Sequence, residues 1–230
     1  MGVLESFGEV TMHCHGYAGA ASRTQWAKGL FLALVVALLA AQSVLAAPAP
    51  RTVLVFGDSL SAGYGMAAEQ GWVALLGERL AQRKPAWKVV NASVSGETTA
   101  GGGSRIAKVL ERHDPDVVVI ELGANDGLRG LPLAASRANL ERMVRAARDS
   151  GAKVLLVGMR MPPNLGRAYT EGFEANFREV AKDEGVALLP FLLEPIASDP
   201  DAFQADDLHP TAAVQPRLLE HVWTALEPLL

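Results

Sequence analysis

The chain has 230 residues, half of them hydrophobic and a fifth charged, with a net charge of −4 from 21 basic and 25 acidic side chains. That is enough chain for one good-sized α/β domain with its own core. The absence of a basic run or a Lys/Arg-rich stretch argues against nucleic acid as a partner.

The first stretch reads as separate from that domain. Arg23 and Lys28 precede an uncharged apolar run from Gly29 to Leu45, and Ala46, Ala47 and Pro48-Ala49-Pro50 follow. This is the basic, apolar and small-residue order of a secretory signal, with Val44 and Ala46 at the two small positions before a cut. Residues 1–46 are therefore expected to be a cleaved signal and 47–230 the mature domain, placed in the periplasm or outside the cell. The alternative is an uncleaved anchor, but the strongly apolar core, Leu30 to Ala41, is shorter than the ~20 residues that span a bilayer. Translation from Met12 is the alternative start. Cys14, the single cysteine, would leave with the signal. A cysteine nucleophile, a Cys-ligated zinc and a disulfide scaffold are then excluded from the mature protein.

Thr52 to Phe56 is a short β-branched apolar run ending in glycine and reads as a buried parallel strand. Trp72, Leu75, Leu76 and Leu80 have the spacing of a helix face. Trp87 to Val90 reads as a second strand ending at Asn91, and Ile106 to Leu110 as a helical stretch after the glycines 101–103. Asp116 to Leu122 is the clearest strand. A helix over Ala134 to Ser150 is stopped by Gly151, and Lys153 to Val157 is a fourth strand. Tyr169 to Glu184 is a helix stopped by Gly185, Val186 to Leu189 a fifth strand, and Thr211 to Leu229 a closing helix. Pro216 either kinks that last helix or marks its true first turn. Apolar strands alternating with helices predict a flavodoxin-like, three-layer α/β/α sandwich with a five-stranded parallel sheet. In such folds ligands sit at the carboxyl ends of the strands.

Four short blocks fall at those ends or just before helices: Gly57-Asp58-Ser59-Leu60, Ser95-Gly96-Glu97-Thr98, Gly123-Ala124-Asn125-Asp126 and Asp206-Asp207-Leu208-His209-Pro210. Ser59 follows the first strand, and a helix starting there would aim free N–H groups at its oxygen. The bland reading of Ser59 is an N-cap. A phosphate loop lacks its lysine here, and Ser61 stands where the nucleophile elbow of an α/β-hydrolase needs its second glycine. Asp206, three residues before His209, can reach Nδ1 and hold the ring in the tautomer that leaves Nε2 free for a serine proton. Asp207 is the alternative partner. His113 and His221 read as solvated helix residues. The backbone N–H groups of Ser59 and Gly96 and the amide of Asn125 would converge on the oxyanion of a tetrahedral intermediate. Taken singly, Gly96 and Asn125 are also ordinary turn residues. The ordered set is the parts list for acyl transfer through a serine ester, with Ser59, His209 and Asp206 as catalytic residues and no metal or cofactor.

These blocks, with the longer strings Phe56 to Tyr64, Asn91 to Thr98, Glu121 to Gly130 and Leu189-Pro190-Phe191, resemble the SGNH (or GDSL) hydrolase family. The match covers nearly all of Arg51 to Leu230. The strings are most similar to a secreted bacterial branch acting as thioesterases, lysophospholipases and arylesterases. The resemblance implies that Gly127, Leu128, Arg129, Gly130, Leu131 and Pro132 form a mobile loop over the acyl chain, with Leu128, Leu131 and Leu133 as its apolar surface. It implies small acyl esters, thioesters or lysophospholipids as substrates. The alternatives are a carbohydrate acetylesterase on the same fold, a catalytically silent lipid- or sugar-binding module, and a membrane-tethered structural protein.

Overall fold

The computed structural model describes residues 50–83 and 87–230. The expected signal and its cleavage point lie outside the described residues. Five strands run in chain order as β1 (Arg51–Gly57), β2 (Trp87–Asn91), β3 (Val117–Glu121), β4 (Lys153–Val157) and β5 (Ala187–Leu189). All pair in parallel in the order β2-β1-β3-β4-β5. The helices are α1 (Ser59–Ala62), α2 (Trp72–Ala81), α3 (Thr99–His113), α4 (Ala124–Leu128), α5 (Leu133–Asp149), α6 (Arg167–Glu184) and α7 (Gln215–Leu226). Helices α3, α5 and α6 pack in a row, while α2 packs against α7. The expected three-layer sandwich is what the chain forms. Among the described residues, no helix is long and apolar enough to cross a membrane.

The continuous apolar strands explain the layering. Every residue of β3 and all but the first of β1 are buried, so both faces of the central sheet must be covered. The helices supply that cover through one stripe each, such as Trp72, Val73, Leu76 and Leu80 of α2, or Leu140, Met143, Val144 and Ala147 of α5. Burial of this kind is worth roughly 25 cal/mol per Å² of apolar surface and is the main force holding the layers together.

Two sequence expectations shift. Helix α3 does not begin after the glycines 101–103 but runs through them, capped by the Thr98 hydroxyl, which accepts from the Gly101 N–H. Gly102 is there for close packing: a Cβ would lie 2.5 Å from Leu122 Cδ1 and 3.0 Å from Met143 Sδ. The last helix is divided, with a 3-10 turn at Ala212–Val214 before α7, and Pro216 sits in the first turn of α7. There a missing N–H costs nothing, so the proline marks a start and no kink.

Candidate active site

The strand order reverses direction on either side of β1, and the crevice at that switch point lies between the ends of β1 and β3. A cavity of about 600 Å³ opens there. Its lining comes from the segment after every strand except that its outer wall is completed by the 203–209 region: Ser59 after β1, Gly96 after β2, Asn125 after β3, Met159 and Met161 after β4, Phe191 and Leu193 after β5, and Phe203, Leu208 and His209 from the late loop.

Ser59 is the first residue of α1, and the cap on that helix is its neighbour. Asp58 accepts from the Leu60 N–H at 3.0 Å. The Ser59 hydroxyl is thus released from the capping role and lies 2.9 Å from His209 Nε2. His209 and Asp206 ride on a small antiparallel turn. Thr211 N–H donates to the Ala202 carbonyl and Gln204 N–H to the His209 carbonyl, both at 2.8 Å, and Phe203 pairs with Pro210. Inside it, His209 Nδ1 is 2.6 Å from Asp206 Oδ2, while Asp206 Oδ1 accepts from the N–H groups of Leu208 and His209, each at 3.0 Å. The His209 N–H, then its imidazole, then the Leu208 N–H, pull the Asp206 carboxyl down to about 2. It is a carboxylate throughout the working pH range, so the Nδ1 proton has a fixed acceptor. Asp207, the alternative partner, has a left-handed backbone (φ 56°) and lines the cavity. His221 is not a free surface histidine: its Nε2 lies 2.9 Å from the Phe191 carbonyl oxygen.

Gly96 sits third in a tight turn closed by the Glu97 N–H donating to the Val94 carbonyl at 3.1 Å. Its φ of 79° is the left-handed value that a type II turn demands at that position, which glycine adopts without a Cβ clash. The Asn125 amide donates through Nδ2 to Asp58 Oδ2 at 3.1 Å. One of its two N–H bonds is therefore tied down, and the second is free to face the cavity.

The segment 127–132 runs from the end of helix α4 through a turn to the start of α5. Gly127 and Leu128 belong to helix α4, and only Leu128 of the six lines the cavity. Arg129 instead donates to the Gly96 carbonyl at 3.1 Å, and the Leu131 carbonyl accepts from Tyr169 Oη at 2.9 Å. Gly130 turns the chain with a φ of 62°, and Pro132 stands at the N-terminus of α5. Leu133 packs towards Gly172 on α6. The apolar wall comes from Met159, Met161, Phe191, Leu193 and Phe203.

Beneath the serine lies a layer of polar groups that the sequence did not single out. Asp126 is buried and accepts from the Thr99 N–H at 2.8 Å and from the hydroxyls of Thr99 and Ser136. It locks the Asn125 turn to the start of α3 and to α5. Glu121, opposite Gly57 in the β1–β3 register, accepts from Ser61 Oγ at 2.7 Å and from the Asp58 N–H. Burial, and then the neighbouring Asp58 charge, push the Glu121 carboxyl well above the usual range. Burial likewise lifts Asp58 to about 6, against the opposing pull of its hydrogen bonds from Leu60 and Asn125.

A raised acid pKa in the native state means that the folded chain holds its proton more tightly than the unfolded chain. Stability from these two groups is therefore present at low pH and is lost as pH rises through about 4 to 6 for Asp58, and further for Glu121. Glu121→Gln keeps the size and an oxygen for Ser61 but carries no charge. The variant is expected to melt close to wild type at pH 5 and above it at pH 8. Thermal denaturation at the two pH values checks this, and a gap that closes as pH rises would refute it.

The fold and the site are those of an ester-hydrolase sandwich. The chain belongs to the GDSL-like lipase/acylhydrolase family, whose model matches residues 55–215. It is 51% identical over 182 residues to esterase TesA of Pseudomonas aeruginosa, covering 79% of this chain and 90% of that one. It is 39% identical over 184 residues to thioesterase 1/protease 1/lysophospholipase L1 of Escherichia coli strain K12, covering 80% and 87%. Among solved structures, that of a TesA superposes with a TM-score of 0.76 at 51% identity, covering 78% of this chain and all of the other.

Proposed function

We propose that this protein is an exported serine esterase that cleaves acyl esters and thioesters, lysophospholipids among them, through an acyl-enzyme on Ser59. The observation that carries the reading is the continuous relay from Asp206 Oδ2 through His209 to Ser59 Oγ, with steps of 2.6 and 2.9 Å, at the mouth of an apolar cavity. In the acylation step Ser59 Oγ attacks the acyl carbon while His209 Nε2 takes its proton. The proton then passes to the departing alcohol or thiol, and the carbonyl is restored with the acyl group on serine. Water repeats the sequence with His209 again as base, releasing the acid and free serine. Asp206 orients the ring and balances the imidazolium without taking the proton. The Ser59 and Gly96 N–H groups and the second Asn125 N–H hold the oxyanion. The lining of Met159, Met161, Phe191, Leu193 and Phe203 suits a hydrocarbon acyl chain better than a sugar, with Leu128 at the rim.

The run Gly29 to Leu45 supports removal of residues 1–46 and export to the periplasm. The reaction so written uses protein side chains, backbone N–H groups, water and the small-molecule substrate.

The test is hydrolysis of p-nitrophenyl esters of graded chain length by protein starting at Ala47, with mass spectrometry after a fluorophosphonate probe. The expected result is turnover rising and then falling with chain length, and one phosphonyl adduct on the peptide holding Ser59. A well-folded protein with no adduct and no turnover of esters or thioesters would overturn the reading.

A further inference from the structure

The serine and the histidine arrive on two segments 150 residues apart, and the 2.9 Å between them has to be set by something other than their own bond. Between the serine turn (57–66) and the histidine turn (202–211), the described residues form only one other hydrogen bond. It comes from the side chain of Gln204. Its Nε2 donates to the Tyr64 carbonyl at 2.9 Å and to the Pro210 carbonyl at 3.0 Å, so both N–H bonds are used, one on each segment. The backbone of the same residue is committed as well. Its N–H donates to the His209 carbonyl at 2.8 Å, and its carbonyl accepts from the Asp207 N–H at 2.9 Å.

We infer that Gln204 is a positioning residue that sets the alignment of His209 on Ser59 by clasping the histidine turn to the serine turn. This rests on the assignment of Ser59 and His209 as nucleophile and base. Two further observations support it. The carbonyl that Gln204 grips belongs to Tyr64, whose ring lies against the His209 imidazole with centroids 4.4 Å apart and planes at 36°. Gripping the Tyr64 backbone therefore also seats the ring against which the imidazole rests. In addition, the serine turn leaves space for the clasp at Gly65. Gly65, with a φ of 75°, has no Cβ, and a carbon there would collide with the Gln204 amide.

The amide acts as a fixed-length strut. It makes no contact with the reacting atoms, and Tyr64 and Gly65 are exposed, so little of the core depends on it. What depends on it is a distance that catalysis reads steeply. A misplacement of about 1 Å between reacting groups costs on the order of a hundredfold in rate. Loss of the strut leaves Met159, Met161 and Phe191 of the cavity wall in place, so the rate is expected to suffer more than substrate binding.

The experiment compares wild type, Gln204→Met, Gly65→Ala and the double variant, with Ser59→Ala as reference. Methionine keeps the length of glutamine without its donors, and Gly65→Ala disturbs the clasp from the opposite side. Gln204→Met is expected to lower kcat for a p-nitrophenyl ester about 10- to 100-fold, with KM within about twofold and the melting temperature unchanged. Its rate of labelling by a fluorophosphonate should fall in parallel, because that reaction needs an aligned serine and histidine but no deacylation. The double variant should be no worse than the more damaged single one, since both break the same link. Wild-type kcat and labelling in Gln204→Met would overturn the inference. So would losses that multiply in the double variant, or a fall in melting temperature with labelling below the transition unchanged. If Ser59→Ala itself keeps its activity, the nucleophile assignment fails and the clasp with it; if only Gln204→Met is silent, the clasp alone falls.

Discussion

Ser59→Ala is expected to lower ester turnover by about a millionfold while leaving the fold intact. The size follows from what one hydroxyl does. Without it there is no acyl-enzyme, and only the oxyanion donors and substrate binding remain, which together are worth about 10³–10⁴ over water in comparable hydrolases. The fold is spared for a local reason: helix α1 is capped by Asp58 through the Leu60 N–H, so removing the Ser59 hydroxyl breaks no cap. Its structural partner is His209 alone, held independently by Asp206. Steady-state assays beside circular dichroism provide the check. A native spectrum with more than about 1% of wild-type turnover would rule out Ser59 as the nucleophile.

Asn125→Ala should be nearly as informative, because it removes two things at once. As an oxyanion donor its loss is expected to lower kcat about 10²- to 10³-fold with little change in KM. As the partner of Asp58 Oδ2, its loss leaves a buried carboxylate with one acceptor fewer satisfied. The Asn125 amide is one of the groups that pull the Asp58 carboxyl down towards about 6 against burial. Without it the native pKa rises further above the unfolded value, and stability falls over a wider span of pH. Asn125→Ala should therefore lie closer to wild type in melting temperature at pH 5 than at pH 8. Turnover measured well below both transitions separates the catalytic loss from the structural one. Unchanged kcat there would remove Asn125 from the oxyanion site.

The strands were legible because parallel β-structure writes a continuous apolar run, and Val117 to Ile120 could be nothing else in an α/β chain. The four blocks were legible for a related reason: chemistry at strand ends concentrates rare residue types in short loops. The structure brings Ser59, His209 and Asp206 together and places Gly96 and Asn125 on the same cavity. What the sequence concealed is whatever depends on distance in space. The glycines 101–103 look like a helix breaker, yet Gly102 is demanded by Leu122, Met143 and Phe56, all remote in the chain. The apolar wall from Met159 to Phe191 looks like any core edge. Gln204 and Glu121 carry no local signature either, since each reaches a partner far away in the chain, Tyr64 at 140 residues and Ser61 at 60. The segment 127–132 is divided in space: Leu128 lines the cavity, while the Leu131 carbonyl accepts from Tyr169 and Arg129 donates to the Gly96 carbonyl.

The turn that carries Asp206 and His209 makes their mutual geometry a purely local matter, with all three Asp206 bonds made inside four residues. The acid–base pair is in effect a preassembled cartridge, while the nucleophile is machined into the sheet. Among the described residues, and apart from the Ser59–His209 contact itself, one joint between the two is left to adjust. Drift in the distant loops after β4 and β5 can reshape what the cavity accepts without retuning the chemistry, whereas slack at that joint should idle the enzyme while every part of it remains sound.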